Sequence, residues 1–359
     1  MLPKTLVHLT IAGDVITGRL DNVLPVGLKT LDLGLSKWNH PITPGTLPSK
    51  LDTIIFGQYF NQPLSRSNLP ESLTRLELNM AFNHPLDRDT LPPSLLQLVF
   101  QGSVYRHPLP NLPTTVTKLS MPNYNNHVIG MSDTTLYSRP NIFPHLKELL
   151  FAEMPYSSLA AIISYSFPSL EELKIEKFKE TRPLEENDLS TLPSTLRSLH
   201  IAPNGPITSF AHTPLDNLFI NCGRSRDTFT LESSQIWPSS LLSLSLIDYN
   251  IPILPGDLPP SITSLHIHAF HYHIQPESLP PTLRSLNLTY CTNVDEFLHQ
   301  IPKSVVKLES HTFYKEYCFK LLRISETVFL RINYNDITTC EFVVIDNIRR
   351  AQFIKNIGH

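Results

Sequence analysis

The chain has 359 residues, a formal net charge of −3 and a pI near 6.6, so no global field draws it to nucleic acid or to an anionic membrane. Hydrophobic residues make up 41% and charged residues only 17%, the composition of an ordered protein. No run of about 18 apolar residues occurs, which excludes an apolar transmembrane helix.

The first residues, Met1-Leu2-Pro3-Lys4-Thr5-Leu6, already state a pattern that recurs almost end to end, so a cleavable signal peptide is not expected. The pattern is Leu-Pro-x-x-Leu-x-x-Leu-x-Leu, seen most clearly at residues 69–78, 91–100 and 279–288. With the leucine after the Leu-Pro pair as a marker, the chain reads Leu6, Leu28, Leu51, Leu73, Leu95, Val116, Leu146, Leu170, Leu196, Leu215, Leu241, Ile262, Leu283 and Val305. A period near ~22 residues marks a stack of units, none of which can bury its apolar face alone. Apolar residues three and five after the marker have the period-2 spacing of a short strand with one face inward. The 32 prolines oppose continuous helices, because each fixes φ and removes a backbone donor. The expected fold is mainly β with short helices: a curved solenoid of about fourteen units over residues 1–310, with a parallel inner sheet and an extended outer face.

Residues 121–192 are irregular, and the Leu-Pro pair becomes Phe143-Pro144 and Phe167-Pro168 there. An insertion spans residues 123–141, and Ser157 to Ser164, after Pro155, reads as a short helix with a serine cap. Residues 295–299 suggest a further helical turn. Residues 311–359 leave the register. They are expected to form a small α+β cap, with strands at 319–324, 328–333 and 340–346 and an amphipathic helix at 347–357.

After several strands a second signature appears: Trp38-Asn39-His40-Pro41-Ile42, Phe60-Asn61-Gln62-Pro63-Leu64 and Phe82-Asn83-His84-Pro85-Leu86, with degenerate copies at Tyr105-Arg106-His107-Pro108-Leu109 and Tyr249-Asn250-Ile251-Pro252-Ile253. This resembles the FNIP repeat, a leucine-rich-repeat variant of social amoebae and giant DNA viruses. The resemblance implies a structural ladder at Asn39, Asn61, Asn83 and Asn250, with buried amides serving backbone groups of the turns. Some members of that family carry an amino-terminal F-box and are ubiquitin-ligase adaptors. Here the first repeat begins at Leu2, so the chain either works without an F-box or is a fragment.

No phosphate-binding loop, nucleophile elbow or zinc motif occurs, and neither catalysis nor a cofactor is expected. Glu171 and Glu172 fall on opposite strand faces and cannot act as one carboxylate pair. His266 and His268 flank inward Ile267 and share a face, the spacing of a two-histidine metal pair, while His271 and His273 fall in the turn; with no acidic residue or cysteine beside them, no metal is assigned. Cys222, Cys291, Cys318 and Cys340 form no CxxC pair and read as reduced thiols of a cytoplasmic protein.

Residues two after each marker, from His8 to Lys307, are all polar, which sets the solvent face of the sheet. Residues four after the marker mix apolar with charged side chains. Ile55, Val99, Leu150, Lys174, His200, Phe219 and His266 lie in that column, with His268 beside it, and these eight are the candidate partner contacts. The expected function is a non-enzymatic scaffold binding an unidentified protein on the concave face. Two alternatives are substrate recognition for an F-box-type ligase and a calmodulin- or metal-linked role, with the calmodulin link suggested by Arg349, Arg350 and Lys355.

Overall fold

Each Leu-Pro pair that precedes a marker opens a tight turn in which the proline carbonyl accepts the marker's N–H. The bond measures 3.1 Å from Leu73 to Pro70 and from Leu95 to Pro92, and 3.0 Å from Leu283 to Pro280. Where the pair becomes Phe-Pro the turn shifts by one residue, and Phe143 and Phe167 supply the carbonyls for Leu146 and Leu170. Proline's fixed φ thus recurs at a turn in nearly every coil, where its missing donor costs nothing.

The structure, a computed structural model, describes residues 2–14, 18–87, 89–102, 104–107, 109, 112–123, 142–162, 165–179, 182, 184–205, 207, 209–223, 237–249, 251–291, 302–311, 319–325, 328–333, 336–344 and 352–354. These divide into two compact units, one of residues 1–179 with 191–196, the other of residues 180–190 with 197–359.

In the first unit the strands are β1 (His8–Thr10), β2 (Thr30–Asp32), β3 (Thr53–Ile55), β4 (Arg75–Leu78), β5 (Gln97–Phe100), β6 (Lys118–Asn123), β7 (Glu148–Glu153) and β8 (Glu172–Ile175). They form one parallel ladder in sequence order. In the second unit a parallel ladder runs through β9 (Ser198–Ile201), β10 (Asn217–Asn221), β11 (Ser243–Ile247), β12 (Ser264–His268), β13 (Ser285–Thr289) and β14 (Lys307–His311). Every strand from β1 to β14 begins at the polar residue two after its marker, and the residue after it points inward. The markers from Leu28 onward are buried, as are Leu31, Ile54, Leu76, Leu98 and their equivalents. Among the described residues only the first coil is looser, with Leu6, Leu9 and Ile11 half-buried.

Behind the strands an aromatic spine fills the core. Trp38, Phe60, Phe82 and Tyr105 stack from coil to coil with centroids 5.8, 6.3 and 6.2 Å apart and planes within 2 to 9°. Tyr249 and Phe270 repeat the arrangement in the second unit at 6.4 Å and 3°. The asparagines beside this spine do form a ladder: Asn39 Oδ1 accepts from the Asn61 N–H at 3.0 Å, Asn61 Oδ1 from Asn83 at 3.1 Å, and Asn83 Oδ1 from Arg106 at 3.2 Å. It is not the buried ladder that the resemblance implied. Asn39 and Asn61 are exposed and Asn83 half-buried, because the aromatic ring takes the interior and leaves the amide on the surface. Asn250 lies outside the described residues.

A second ladder is made by the residue just before the marker. The Ser72 hydroxyl lies 2.8 Å from the Ser49 carbonyl and 2.6 Å from that of Leu51; Ser94 stands likewise over Glu71 and Leu73, Thr115 over Pro93 and Leu95, and Thr282 over Pro260 and Ile262. Each hydroxyl ties its turn to carbonyls of the preceding coil, groups that stacking would otherwise partly hide from water.

The segment after Pro155 is a 3-10 helix, Tyr156–Ala161, with Pro155 at its N-cap and no side-chain capping bond, so the expected serine cap is absent. Tyr156 and Leu159 bury themselves in the core, which starts the helix one residue before the serines. A short α1 (Glu186–Leu189) carries a capping box between Glu185 and Asp188.

After β14 the ladder turns antiparallel through β15 (Phe319–Arg323), β16 (Val328–Asn333), β17 (Asp336–Val344) and β18 (Gln352–Ile354). The first two match the expected strands at 319–324 and 328–333, whereas β17 begins four residues before the expected strand at 340–346. Residues 352–354, expected in a helix, instead pair antiparallel with β17. The rest of that helix, the turn at 295–299 and the insertion after Asn123 lie outside the described residues. Phe319, Leu321 and Phe329 are buried, and the Arg323 guanidinium donates to the Val305 and Pro302 carbonyls at 2.7 and 3.1 Å.

Candidate functional site

Because the ladders are in register, side chains of the open strand face form straight columns. In the first unit the outer column reads His8, Thr30, Thr53, Arg75, Gln97, Lys118, Glu148 and Glu172, each directly paired with the next. The adjoining column reads Asp32, Ile55, Glu77, Val99, Ser120, Leu150 and Lys174. Charges on this face are largely paired with one another. Arg75 donates to Glu77 and to Gln97, both at 2.8 Å, Lys118 bridges to Glu148, and Lys174 lies 3.5 Å from Glu176. Ile55 and Leu150 are half-buried on the face. Val99 is only 7% exposed, covered by its register neighbours Glu77 and Ser120, so it offers a partner less than the sequence suggests.

The second unit carries a different face. Its outer column is Ser198, Asn217, Ser243, Ser264, Ser285 and Lys307, and the adjoining one His200, Phe219, Ser245, His266, Asn287 and Glu309. His200 and Phe219 stack at 5.0 Å and 17°. His266 Nε2 lies 3.2 Å from Thr289 Oγ1, and Thr289 donates to Asn287 at 3.0 Å. Burial, then the neighbouring His268 and His311, hold the His266 pKa below the usual imidazole value. His268 shares its face as expected, with Nδ1 3.6 Å from Asp248 and its ring edge-on to Tyr290. His271 and His273 stand exposed in the turn. Among the described residues no group of three or more His, Cys, Asp or Glu side chains is placed to hold a metal ion.

Cys222 and Cys291 are buried thiols whose pKa values burial raises, that of Cys291 to about 11. Among the described residues no helix is long and apolar enough to cross a membrane. The sequence placed the candidate residues on the open strand face but missed the contrast between units. A signal was present: β9–β13 contain no Asp, Glu, Lys or Arg.

Comparison with known proteins agrees with this architecture. The family model of the FNIP Repeat matches residues 38–80, 82–124 and 249–291. No curated protein matches the sequence. Among solved structures, CroV588, a circular leucine-rich-repeat protein of a giant virus, is similar at 27% identity with a TM-score of 0.57. The match covers 86% of this chain and 47% of CroV588, so this chain spans about half the length of that relative. More distant matches are to a chain of the Drosophila Toll–Spatzle complex (13% identity, TM-score 0.46, covering 86% of this chain and 51% of that one) and to one of the mouse RP105/MD-1 complex (17%, 0.46, 86% and 68%). With its aromatic-asparagine signatures, Leu-Pro turns and parallel ladders, the chain is a leucine-rich-repeat-like solenoid that carries FNIP repeats.

Proposed function

We propose that this solenoid is a non-enzymatic cytoplasmic scaffold that binds a protein partner along its concave strand face. One observation carries the reading: from the second coil onward the described inward positions are buried and, Ser310 apart, apolar, whereas the face columns change character from coil to coil and keep Ile55, Leu150 and Phe219 partly exposed among polar groups. A face built from many shallow, partly apolar contacts suits recognition, with affinity concentrated in a few residues. Lys174, His200, His266 and His268 complete the proposed contact set, and Val99 contributes least. The two buried thiols fit a reducing compartment. The strands β15–β18 act as the cap of the second unit, with Arg323 serving carbonyls of the last coil.

The test is comparative affinity capture with mass spectrometry. The intact chain is matched against a face variant (Ile55→Glu, Leu150→Glu, Phe219→Ser) and against a variant of exposed residues off that face (Tyr59→Glu, Leu254→Glu). Partners held by wild type and by the second variant but lost by the first support the reading. Equal capture by all three proteins would sink it.

A further inference from the structure

On the second unit's face, ring stacking runs along the ladder, from strand to strand. His200 on β9 and Phe219 on β10 occupy one register row and stack at 5.0 Å. The next residue in that row is Ser245 on β11, followed by His266 on β12. Neighbouring strands lie about 4.8 Å apart, so Phe219 and His266 are separated by about 10 Å across a side chain of only two heavy atoms. One planar ring standing over Ser245 would sit about 5 Å from Phe219, within the ~4.5–7 Å range of aromatic pairs, with His266 on its far side. The His266 ring leans the other way, toward Thr289 on β13, and does not fill the gap. Ser243 and Ile247 flank Ser245 on the same strand face, a hydroxyl on one side and a half-buried aliphatic side chain on the other.

The strands around the gap carry no charged residue, and Asp248, which follows β11, lies 3.6 Å from His268. Five consecutive strands, β9–β13, contain no Asp, Glu, Lys or Arg, whereas the first unit's face holds Asp32, Arg75, Glu77, Lys118, Glu148, Glu172 and Lys174. Elsewhere the same molecule joins coil to coil by stacked rings, as Trp38, Phe60 and Phe82 do. At Ser245 that device is left one ring short.

We propose that Phe219, Ser245 and His266 form a slot for a single aromatic side chain of an uncharged, extended partner segment. The partner half rests on the protein-binding reading above; the slot itself does not. The ring enters edge first, stacks on Phe219, is bounded on its far side by His266, and makes contact with Ile247. A phenol or indole adds a hydrogen bond to the Ser243 or Ser245 hydroxyl. His266 presents an uncharged ring at neutral pH, since burial and the nearby His268 and His311 disfavour its protonation, with Glu309 opposing them weakly.

The slot is tested without any partner, by saturation-transfer NMR on the intact chain with p-cresol and 3-methylindole, and with cyclohexylmethanol as a non-planar control. Ser245→Leu fills the slot, Phe219→Ser removes a wall, and Thr53→Leu places the same bulk on β3. Binding of p-cresol about tenfold weaker in both slot variants, and unchanged in Thr53→Leu, is the expected result. Equal binding in Ser245→Leu, no saturation in wild type, or stronger transfer to cyclohexylmethanol would overturn the slot. Far-UV circular dichroism checks each fold, and Phe219→Ser decides should Ser245→Leu not fold. Partner capture unchanged by Ser245→Leu, with fragment binding lost, would overturn the partner half alone.

Discussion

Phe60 and Asn61 are adjacent in the signature, and the structure assigns them very different energies. Phe60 is fully buried, stacked 5.8 Å from Trp38 and 6.3 Å from Phe82, with Phe56 at 3.9 Å. Phe60→Ala should cost about 3–5 kcal/mol, because Trp38 and Phe82 are held by their own coils and cannot collapse into the space. Loss of ring contacts worth about 0.5–1.5 kcal/mol each places the value toward the upper end. Asn61→Ala removes one exposed acceptor and returns the Asn83 N–H to water, a net loss of at most about 1 kcal/mol. The assay is urea unfolding followed by Trp38 fluorescence in a Trp237→Phe background, so that the probe touches the altered ring. Damage to one coil is felt first by its neighbours, and Trp38 should report it directly. An Asn61→Ala loss equal to that of Phe60→Ala, or a Phe60→Ala loss below about 1 kcal/mol, would refute the aromatic-spine account and restore the asparagine as the interior support.

Ser94→Ala should lower the unfolding free energy read from urea titration by about 0.5–1.5 kcal/mol through the lost bonds to Glu71 and Leu73, while Ser94→Thr, which keeps the hydroxyl as Thr115 does one coil later, should leave it nearly unchanged. Gly57→Ala would set a Cβ 2.2 Å from the Ser36 carbonyl and 2.6 Å from that of Leu33, both backbone, and calorimetry should show a loss of about 1–3 kcal/mol or more; Gly27→Ala, with its nearest atom at 3.7 Å, should stay within about 1 kcal/mol of wild type. His266 has a depressed pKa, so the unfolded chain binds its proton first. Its contribution to stability is complete above the unfolded value of 6.5 and is lost as pH falls from there through the lower folded value. NMR titration of His266 should give a midpoint below 6.5, and His266→Gln should flatten the unfolding profile in that window; a midpoint at or above 6.5 contradicts the burial assigned to this ring.

The repeat made most of the fold legible. A marker with apolar residues three and five later placed the start of each strand from β1 to β14, because period-2 burial in a stack has one solution per unit. What the pattern could not rank was competition for the interior between neighbours in the signature. Phe60 and Asn61 both recur, but only the ring gains by leaving water, and the amide remains at the surface bonded sideways. The hydroxyl ladder was equally visible as Ser72, Ser94, Thr115 and Thr282 before their markers, yet its purpose needs the preceding coil's carbonyls in view. Residues 352–354 are too few to establish either period by themselves, and pairing to β17 decides their structure.

The same stacking logic says where specificity can reside. An inward position such as Leu76 or Leu244 must suit the coils on either side, so its identity records packing and nothing about a partner. A face position need only tolerate a strand. On the first unit that freedom is spent on charges already paired with one another, such as Arg75 with Glu77 and Lys118 with Glu148. A partner landing there must dry those pairs or replace them, and the desolvation cost offsets much of the gain. On β9–β13 no such charge has to be dried, and hydroxyls and amides can exchange water for a partner's backbone at little net cost. Apolar contact at Phe219 then adds affinity that salt does not screen. Binding centred on the second unit should therefore change little with ionic strength, whereas binding centred on the first should weaken as salt rises.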